Sequence, residues 1–179
     1  NFSAEIYESS LKRSLKEIEY RGPDDNGTYI NNNIALGHVR LSIIDLTKNG
    51  RQPMLASDEE HVITYNGEVY NYETLKKELG QGSVNFKSKT DTEVILEYFR
   101  LYGVSAFKKF NGMFAFSIVN QKENKAFLVR DRFGIKPLYY FKSENKIVFS
   151  SEIKAIEAIC GAQSLNEEIL PEWSYYGTT

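Results

Sequence analysis

The sequence predicts an α+β fold built in layers, with stacked sheets inside and helices outside. Three observations lead there. Apolar residues recur at helical spacing near both ends of the chain, and several short runs between them are apolar on both faces. The runs are punctuated by Asn, Gly, Asp and Ser turns, so strands that need cover on both sides must lie between other layers.

Ile6, Leu11, Leu15 and Ile18 give the stretch from Ser3 to Tyr20 one apolar face, and Gly22-Pro23 follows as a stop signal. Thr28 to Asn31 and Ile34 to Ile44 read as strands, and Lys48 to Glu60 as a loop rich in polar turn residues. His61 to Tyr65 reads as a short strand ending at Asn66-Gly67. Asn71 is placed to cap a helix that carries Leu75 and Leu79 and closes at Gly80. Thr90 and Glu93 have capping-box spacing ahead of a second helix, whose apolar face is Val94, Ile95, Tyr98 and Tyr102 and whose end is Gly103. Met113 to Val119 and Ala126 to Val129 form a hairpin about Gln121 to Lys125, and Leu138 to Phe141 with Ile147 to Phe149 repeat the pattern. Glu152 to Cys160 reads as a helix ended by Gly161, and Asn166 as the cap of a last short helix running toward Trp173.

A chain of 179 residues suits one compact domain. Its 41% hydrophobic and 13% aromatic content supplies a core that a disordered chain lacks. The 22 basic and 24 acidic residues are interspersed and sum to −2, so no basic field points to nucleic acid or to an anionic membrane. One cysteine forms no internal disulfide, and no apolar run approaches the ~20 residues of a membrane span, so a cytoplasmic setting is expected.

Three strings place polar residues where the flanking pattern is apolar: Arg40 in His38 to Ile44, Asn66-Gly67-Glu68, and Asp91 in Thr90 to Glu93. Singly, each has a structural reading. Asn-Gly is a strong hairpin signal, an aspartate at a helix start satisfies the macrodipole, and an arginine can sit on a sheet surface.

Together, and in the same order, a longer set of strings resembles a known family. They are Arg21 to Asp24, Arg40 to Asp45, Gln52-Pro53, Asn66 to Tyr72, Asp91 to Glu93, Gly112 to Phe116, Arg130 to Tyr140 and Ser150 to Ala155. The set is similar to the class II glutamine amidotransferase domain of the glutamine-hydrolysing asparagine synthetases, over nearly the whole chain. The resemblance implies an N-terminal-nucleophile hydrolase architecture, an αββα four-layer sandwich of mostly antiparallel sheets. It also implies roles. Arg40 would hold the α-carboxylate of glutamine, and the backbone at Leu41, Ser42, Ile43 and Ile44 would line the pocket. Glu68 and Asp91 would receive the α-ammonium, while Asn66 and Gly67 would form the oxyanion hole. These residue types suit the tasks. A guanidinium fork matches a carboxylate through two charge-assisted hydrogen bonds, and amide hydrolysis passes through an oxyanion that two N–H donors can stabilise.

The family's nucleophile is a cysteine at the mature N-terminus, with its own α-amine as base; such an amine titrates near 7.7–8.0, close to neutrality. The sequence begins Asn1-Phe2-Ser3, so residues 1–179 are expected to be an amidotransferase domain without its nucleophile strand, inactive alone, with the synthetase domain outside this chain. Cys160 ends a predicted helix with no histidine near it in sequence, and reads as an inert thiol. His38 and His61 sit in predicted strands and read as structural. Within Arg130 to Tyr140, Gly134 and Pro137 suit a shaped turn, and Asp131 and Lys136 either pair or face a partner domain.

The expected substrate is glutamine and the expected partner a C-terminal synthetase domain, with a homodimer left open. No metal or cofactor is expected in this domain. ATP and magnesium belong to the synthetase half, and the acceptor is aspartate or another carboxylate. A glutamine-binding or scaffolding module without turnover is the competing reading.

Overall fold

The computed structural model describes residues 4–31, 33–41, 48–80, 84–164, 167–169 and 171. Helix α1 spans Ala4–Ile18 and a short 3-10 turn, Glu19–Arg21, ends it. Strands β1 (Asp25–Asn31) and β2 (Ile34–Arg40) pair as an antiparallel hairpin, Asp25 opposite Arg40. Next come β3 (Met54–Leu55), β4 (His61–Val69), α2 (Tyr72–Glu78) and α3 (Asp91–Tyr102). A 3-10 segment, Gly103–Lys108, leads into β5 (Gly112–Asn120) and β6 (Lys125–Arg130). Strands β7 (Tyr139–Lys142) and β8 (Ile147–Ser150) form a second hairpin, followed by α4 (Ile153–Cys160).

Strands β3, β4, β5 and β6 make one antiparallel sheet in that order. One of its faces packs on α2 and α3, because Ile63, Tyr65, Phe114, Phe116 and Ile118 point there to meet Leu75, Ile95, Phe99 and Phe110. Aromatic rings dominate this core; Phe99 and Phe107 stack with centroids 5.2 Å apart, and Phe110 stands edge-on to Phe116 at 6.1 Å. The period-2 alternation of a strand sends Val62 and Val119 to the opposite face, where they meet Leu36 and, around it, Tyr29, Ile34 and Phe149. The two hairpins therefore form the second sheet layer, and α1 and α4 cover it, joined where Ser14 Oγ donates to the Ala155 carbonyl at 2.9 Å. The order is helix, sheet, sheet, helix.

Helix α3 begins at the expected cap, with Thr90 Oγ1 accepting from the Glu93 N–H at 3.4 Å, and ends at Gly103. The Glu93 carboxylate takes the Lys87 and Ser88 N–H groups and the Ser88 hydroxyl, tying the incoming chain to the helix. Two local expectations are corrected. Strand β4 does not stop at Asn66-Gly67 but runs on to Val69, paired opposite Gly112. Asn71 does sit at the N-cap of α2, but its side chain makes no cap bond; it donates to the Lys109 carbonyl and accepts from the Asn111 N–H, fastening the entrance of β5. Asn166 and Trp173 lie outside the described residues. No helix among the described residues is long and apolar enough to cross a membrane.

Candidate functional site

The continuous part of the site is the end of β4. Asn66 and Glu68 share the side-chain parity of Val62 and Thr64, so they face the space between the sheets, while Tyr65, Gly67 and Val69 face α3. Asn66 Nδ2 reaches Ser151 Oγ at 3.5 Å, just beyond β8. Gly67 holds a φ of +154°, and an added Cβ would stand 2.2 Å from the Met113 carbonyl oxygen and 2.7 Å from Phe114 Cα. Only glycine fits so close to β5, which explains why an Asn-Gly pair can lie inside a strand.

Arg40 arrives from the other sheet. His38 Nε2 lies 3.1 Å from the Tyr65 carbonyl, and Thr64 Oγ1 donates to the Gly37 carbonyl at 3.4 Å. These two contacts advance along both strands together, so Arg40 lies beyond His38 as Gly67 lies beyond Tyr65. Arg40 is 8% exposed. Its guanidinium runs past Gly50, where an added Cβ would stand 2.4 Å from Nη2 and 3.0 Å from Thr90 Cγ2. The guanidinium and the cap of α3 thus meet the same point from two sides, and Asp91 is the next residue of that helix.

Asp91 is 4% exposed. Its Oδ2 accepts from the Tyr65 hydroxyl at 2.6 Å and from the Val69 N–H at 2.9 Å. Burial raises its proton affinity above that of an ordinary carboxylate, and those two donors work against the rise. Burial, then the neighbouring charge of Asp91, push the Tyr65 phenol far above its usual range, so it remains a donor at all working pH values. Glu68 is exposed, and it bears electrostatically on both Tyr65 and Tyr72, as Asp91 does. The structure therefore brings Arg40, Asn66, Gly67, Glu68 and Asp91 to one side of the molecule. Leu41 is 56% exposed beside them. Ser42, Ile43 and Ile44 lie outside the described residues.

The sequence reading did not single out Tyr65 or Gln52 as part of this corner. Gln52 is buried, accepts the Tyr65 N–H at 2.7 Å through Oε1 and donates to Thr92 Oγ1 at 3.4 Å, so it stitches β4 to the first turn of α3. Only its place in the Gln52-Pro53 string marked it.

The other polar candidates are engaged elsewhere. His61 is fixed between Asp58 Oδ2, 2.7 Å from Nδ1, and Asn120 Nδ2, 3.1 Å from Nε2. His38 presents Nε2–H to the Tyr65 carbonyl, and burial pulls its pKa down to about 4, so it is neutral at physiological pH. Cys160 is a half-buried free thiol at the far end of α4, roughly 10 Å along the helix from the end that adjoins Ser151. Asp131 and Lys136 do not pair by their side chains; the Asp131 carboxylate instead takes the Phe114, Phe133, Ile135 and Lys136 N–H groups. Among the described residues no cluster of His, Cys, Asp and Glu could hold a metal ion.

A guanidinium, two carboxylates, an amide and a glycine backbone on one face match the charges and polar groups of a zwitterion that carries a carboxamide. A family model described as a glutamine amidotransferase domain matches residues 2–177. The chain belongs to the glutamine amidotransferase domain family. Its similarity to curated proteins includes asparagine synthetase [glutamine-hydrolyzing] 1 of Bacillus subtilis, 39% identical over 166 residues that cover 93% of this chain and 26% of that protein. It also includes asparagine synthetase [glutamine-hydrolyzing] 2 of the same organism, 43% identical over 146 residues, covering 82% and 19%. Amidase chry2 of Gibberella zeae is 36% identical over 178 residues, covering 97% and 25%. This amidotransferase domain spans about a third or less of the length of the curated relatives it matches. Among solved structures, the glutamine phosphoribosylpyrophosphate amidotransferase of B. subtilis, complexed with ADP and GMP, superposes with a TM-score of 0.72. At 18% identity, over 85% of this chain and 41% of that one, the likeness establishes the shared α+β fold.

Proposed function

We propose that this domain hydrolyses glutamine to glutamate and supplies the ammonia to an ATP-dependent asparagine-synthetase-type domain of its parent protein, with aspartate or another carboxylate as acceptor. The observation that carries the reading is the approach of the Arg40 guanidinium to the N-terminus of α3, on the side of the molecule where β4 ends in Asn66-Gly67-Glu68. Opposite charges on the two sides of this corner suit the α-carboxylate and α-ammonium of a free amino acid. An amide and a glycine backbone beside them suit its side-chain carbonyl.

In this reading Arg40 binds the α-carboxylate, and Asp91 with Glu68 binds the α-ammonium. Asn66 Nδ2 and the Gly67 N–H meet the oxyanion that forms when a cysteine thiolate adds to the carboxamide carbon. The nucleophile in this reading is the N-terminal cysteine that the family uses. Its α-amine takes the thiol proton and returns it to the departing nitrogen, so ammonia leaves as the thioester forms, and water then releases glutamate. Loss of one oxyanion donor in such a site costs about 2.7–4 kcal/mol of the barrier reduction. The setting is cytoplasmic, and ATP and magnesium act in the synthetase half.

N-terminal sequencing and intact mass of the native full-length protein, paired with an assay of ammonia release from glutamine, test this. A free N-terminal cysteine with turnover is expected. A free N-terminal cysteine without ammonia release overturns the reading; glutamine binding in that case identifies a sensing or scaffolding module.

A further inference from the structure

Tyr65 is held at three separate points. Its N–H donates to Gln52 Oε1 at 2.7 Å, its carbonyl accepts from His38 Nε2 at 3.1 Å, and its hydroxyl donates to Asp91 Oδ2 at 2.6 Å. The ring packs against Phe116 at 6.4 Å in a core whose neighbouring strand uses phenylalanine at positions 114 and 116. Packing alone would be served by phenylalanine there too. What distinguishes Tyr65 is the oxygen, and that oxygen goes to a carboxylate almost fully withdrawn from water.

The two hydrogen bonds that reach the Asp91 carboxylate from β4, from the Tyr65 hydroxyl and the Val69 N–H, both fall on Oδ2, while the backbone N–H groups of Asp91 itself and Thr92 also bear on the carboxylate. A carboxylate pinned through one oxygen has its plane and its second oxygen set by the pin. We propose that Tyr65 is a positioning residue of the amino-acid site: its hydroxyl orients the Asp91 carboxylate so that the other oxygen, Oδ1, receives the α-ammonium of the substrate. This rests on the glutamine-binding reading above and extends it to specificity. Tyr65 sets how strongly the site prefers an α-amino acid over the same molecule without its amine. The hydrogen bond also favours the charged form of a carboxylate that burial pushes toward protonation. The other charged or titratable groups around this corner are Glu68 of β4, Tyr72 of α2 and, on the far side of Gly50 and Thr90, Arg40 of β2.

The test uses the full-length protein and its Tyr65→Phe variant, which keeps the ring and removes only the hydroxyl. Two quantities are measured: kcat and KM for L-glutamine, and the inhibition constant of glutaramate, which is glutamine without the α-amine, against L-glutamine. Both KM and the inhibition constant are independent of the fraction of active protein, so partial misfolding does not mimic the result. The expected outcome is a roughly tenfold rise in KM for L-glutamine, as loss of a hydrogen bond to a charged group predicts, with kcat within about twofold. The inhibition constant of glutaramate should not change, since it has no ammonium to place. An equal weakening of both ligands marks a merely structural tyrosine and overturns the proposal, as does an unchanged KM. Wild-type protein that neither turns over nor binds glutamine sinks the underlying reading instead, and the wild-type arm alone reveals it.

Discussion

Replacing Asp131 by asparagine should destabilise the domain through a count of donors that the structure makes explicit. Oδ1 accepts the N–H groups of Phe133 and Ile135, both at 3.0 Å, and Oδ2 accepts those of Lys136 at 3.0 Å and Phe114 at 3.2 Å. An asparagine has one acceptor oxygen, so either orientation leaves its NH2 facing two backbone donors. Two charge-assisted hydrogen bonds vanish and two N–H groups lose their partner, which together cost about 3 kcal/mol or more. Burial works to raise the Asp131 pKa, but the four N–H groups outweigh it and hold it down at about 2. A depressed carboxylate contributes stability that is fully present above its unfolded value, near 4, and is lost as the pH falls through about 2. That contribution is on the order of 2 kcal/mol, of the same size as the hydrogen-bond count. Equilibrium urea unfolding of wild type and Asp131→Asn at neutral pH, repeated as the pH is lowered, reads both effects. The gap between the two proteins should narrow between about pH 4 and pH 2. A loss under about 1 kcal/mol at neutral pH, or a gap independent of acid, would refute this account of the loop.

Arg40→Lys should raise the glutamine KM by about tenfold or more, because a lysine offers a point charge where the carboxylate meets a planar fork; steady-state glutaminase kinetics decide it, with a thermal melt to separate lost binding from lost fold. Gly50→Ala should raise KM less, by a few fold, since its Cβ falls 2.4 Å from the movable Nη2 of Arg40 and 3.0 Å from Thr90 Cγ2, and a crystal structure of the variant should find the guanidinium displaced. His38, with its pKa pulled from 6.5 to about 4 by burial, contributes stability that is present above 6.5 and is lost as the pH falls from 6.5 to 4. That loss amounts to about 3 kcal/mol, and His38→Leu should flatten that part of the stability–pH curve.

Local signals were legible where the chain settles its own ends. Thr90 as cap and Gly103 as stop bound α3, and α4 occupies Ile153–Cys160 inside the expected Glu152 to Cys160. Where a local signal competed with a long-range contact, the contact prevailed. Asn66-Gly67 has the composition of a turn, yet the ladder with β5 continues through it because Gly67 can lie flat against the Phe114 backbone. Asn71 has the composition of a cap, yet its amide is used by Lys109 and Asn111, forty residues downstream. The two-residue strand β3 went unread because its pairing with Val62 and Ile63 leaves no periodicity in a loop of polar residues. The candidate site was legible only through the ordered resemblance of its strings, since nothing in the separate segments says that Arg40 and Thr90 share a neighbour. Tyr65 was hidden for the opposite reason: a tyrosine in an apolar strand reads as core, and its hydroxyl is informative only once Asp91 is seen 2.6 Å away.

The two halves of the candidate site are held by different kinds of force, and the difference bears on which half can adapt to a ligand. The end of β4 is pinned by backbone: Gly67 is flush against β5, Phe114 of β5 exchanges main-chain and side-chain bonds with Asp131, and Val69 and Tyr65 are both bonded to Asp91. Each restraint there is short-range and closed by a neighbouring strand or by α3, so the oxyanion side and the ammonium side move together or not at all. Arg40 reaches the same place as a long side chain crossing from the other sheet, guided by Gly50 and Thr90. A site assembled this way holds the reacting amide through backbone contacts and meets the α-carboxylate with a side chain sent across from the other sheet. Substitutions of the oxyanion residues Asn66 and Gly67 should therefore tell mainly in kcat or in fold stability, and those around Arg40 and the Tyr65–Asp91 pair in KM. A proteinwide scan in which Gly67 and Asn66 variants changed KM alone would show the division to be wrong.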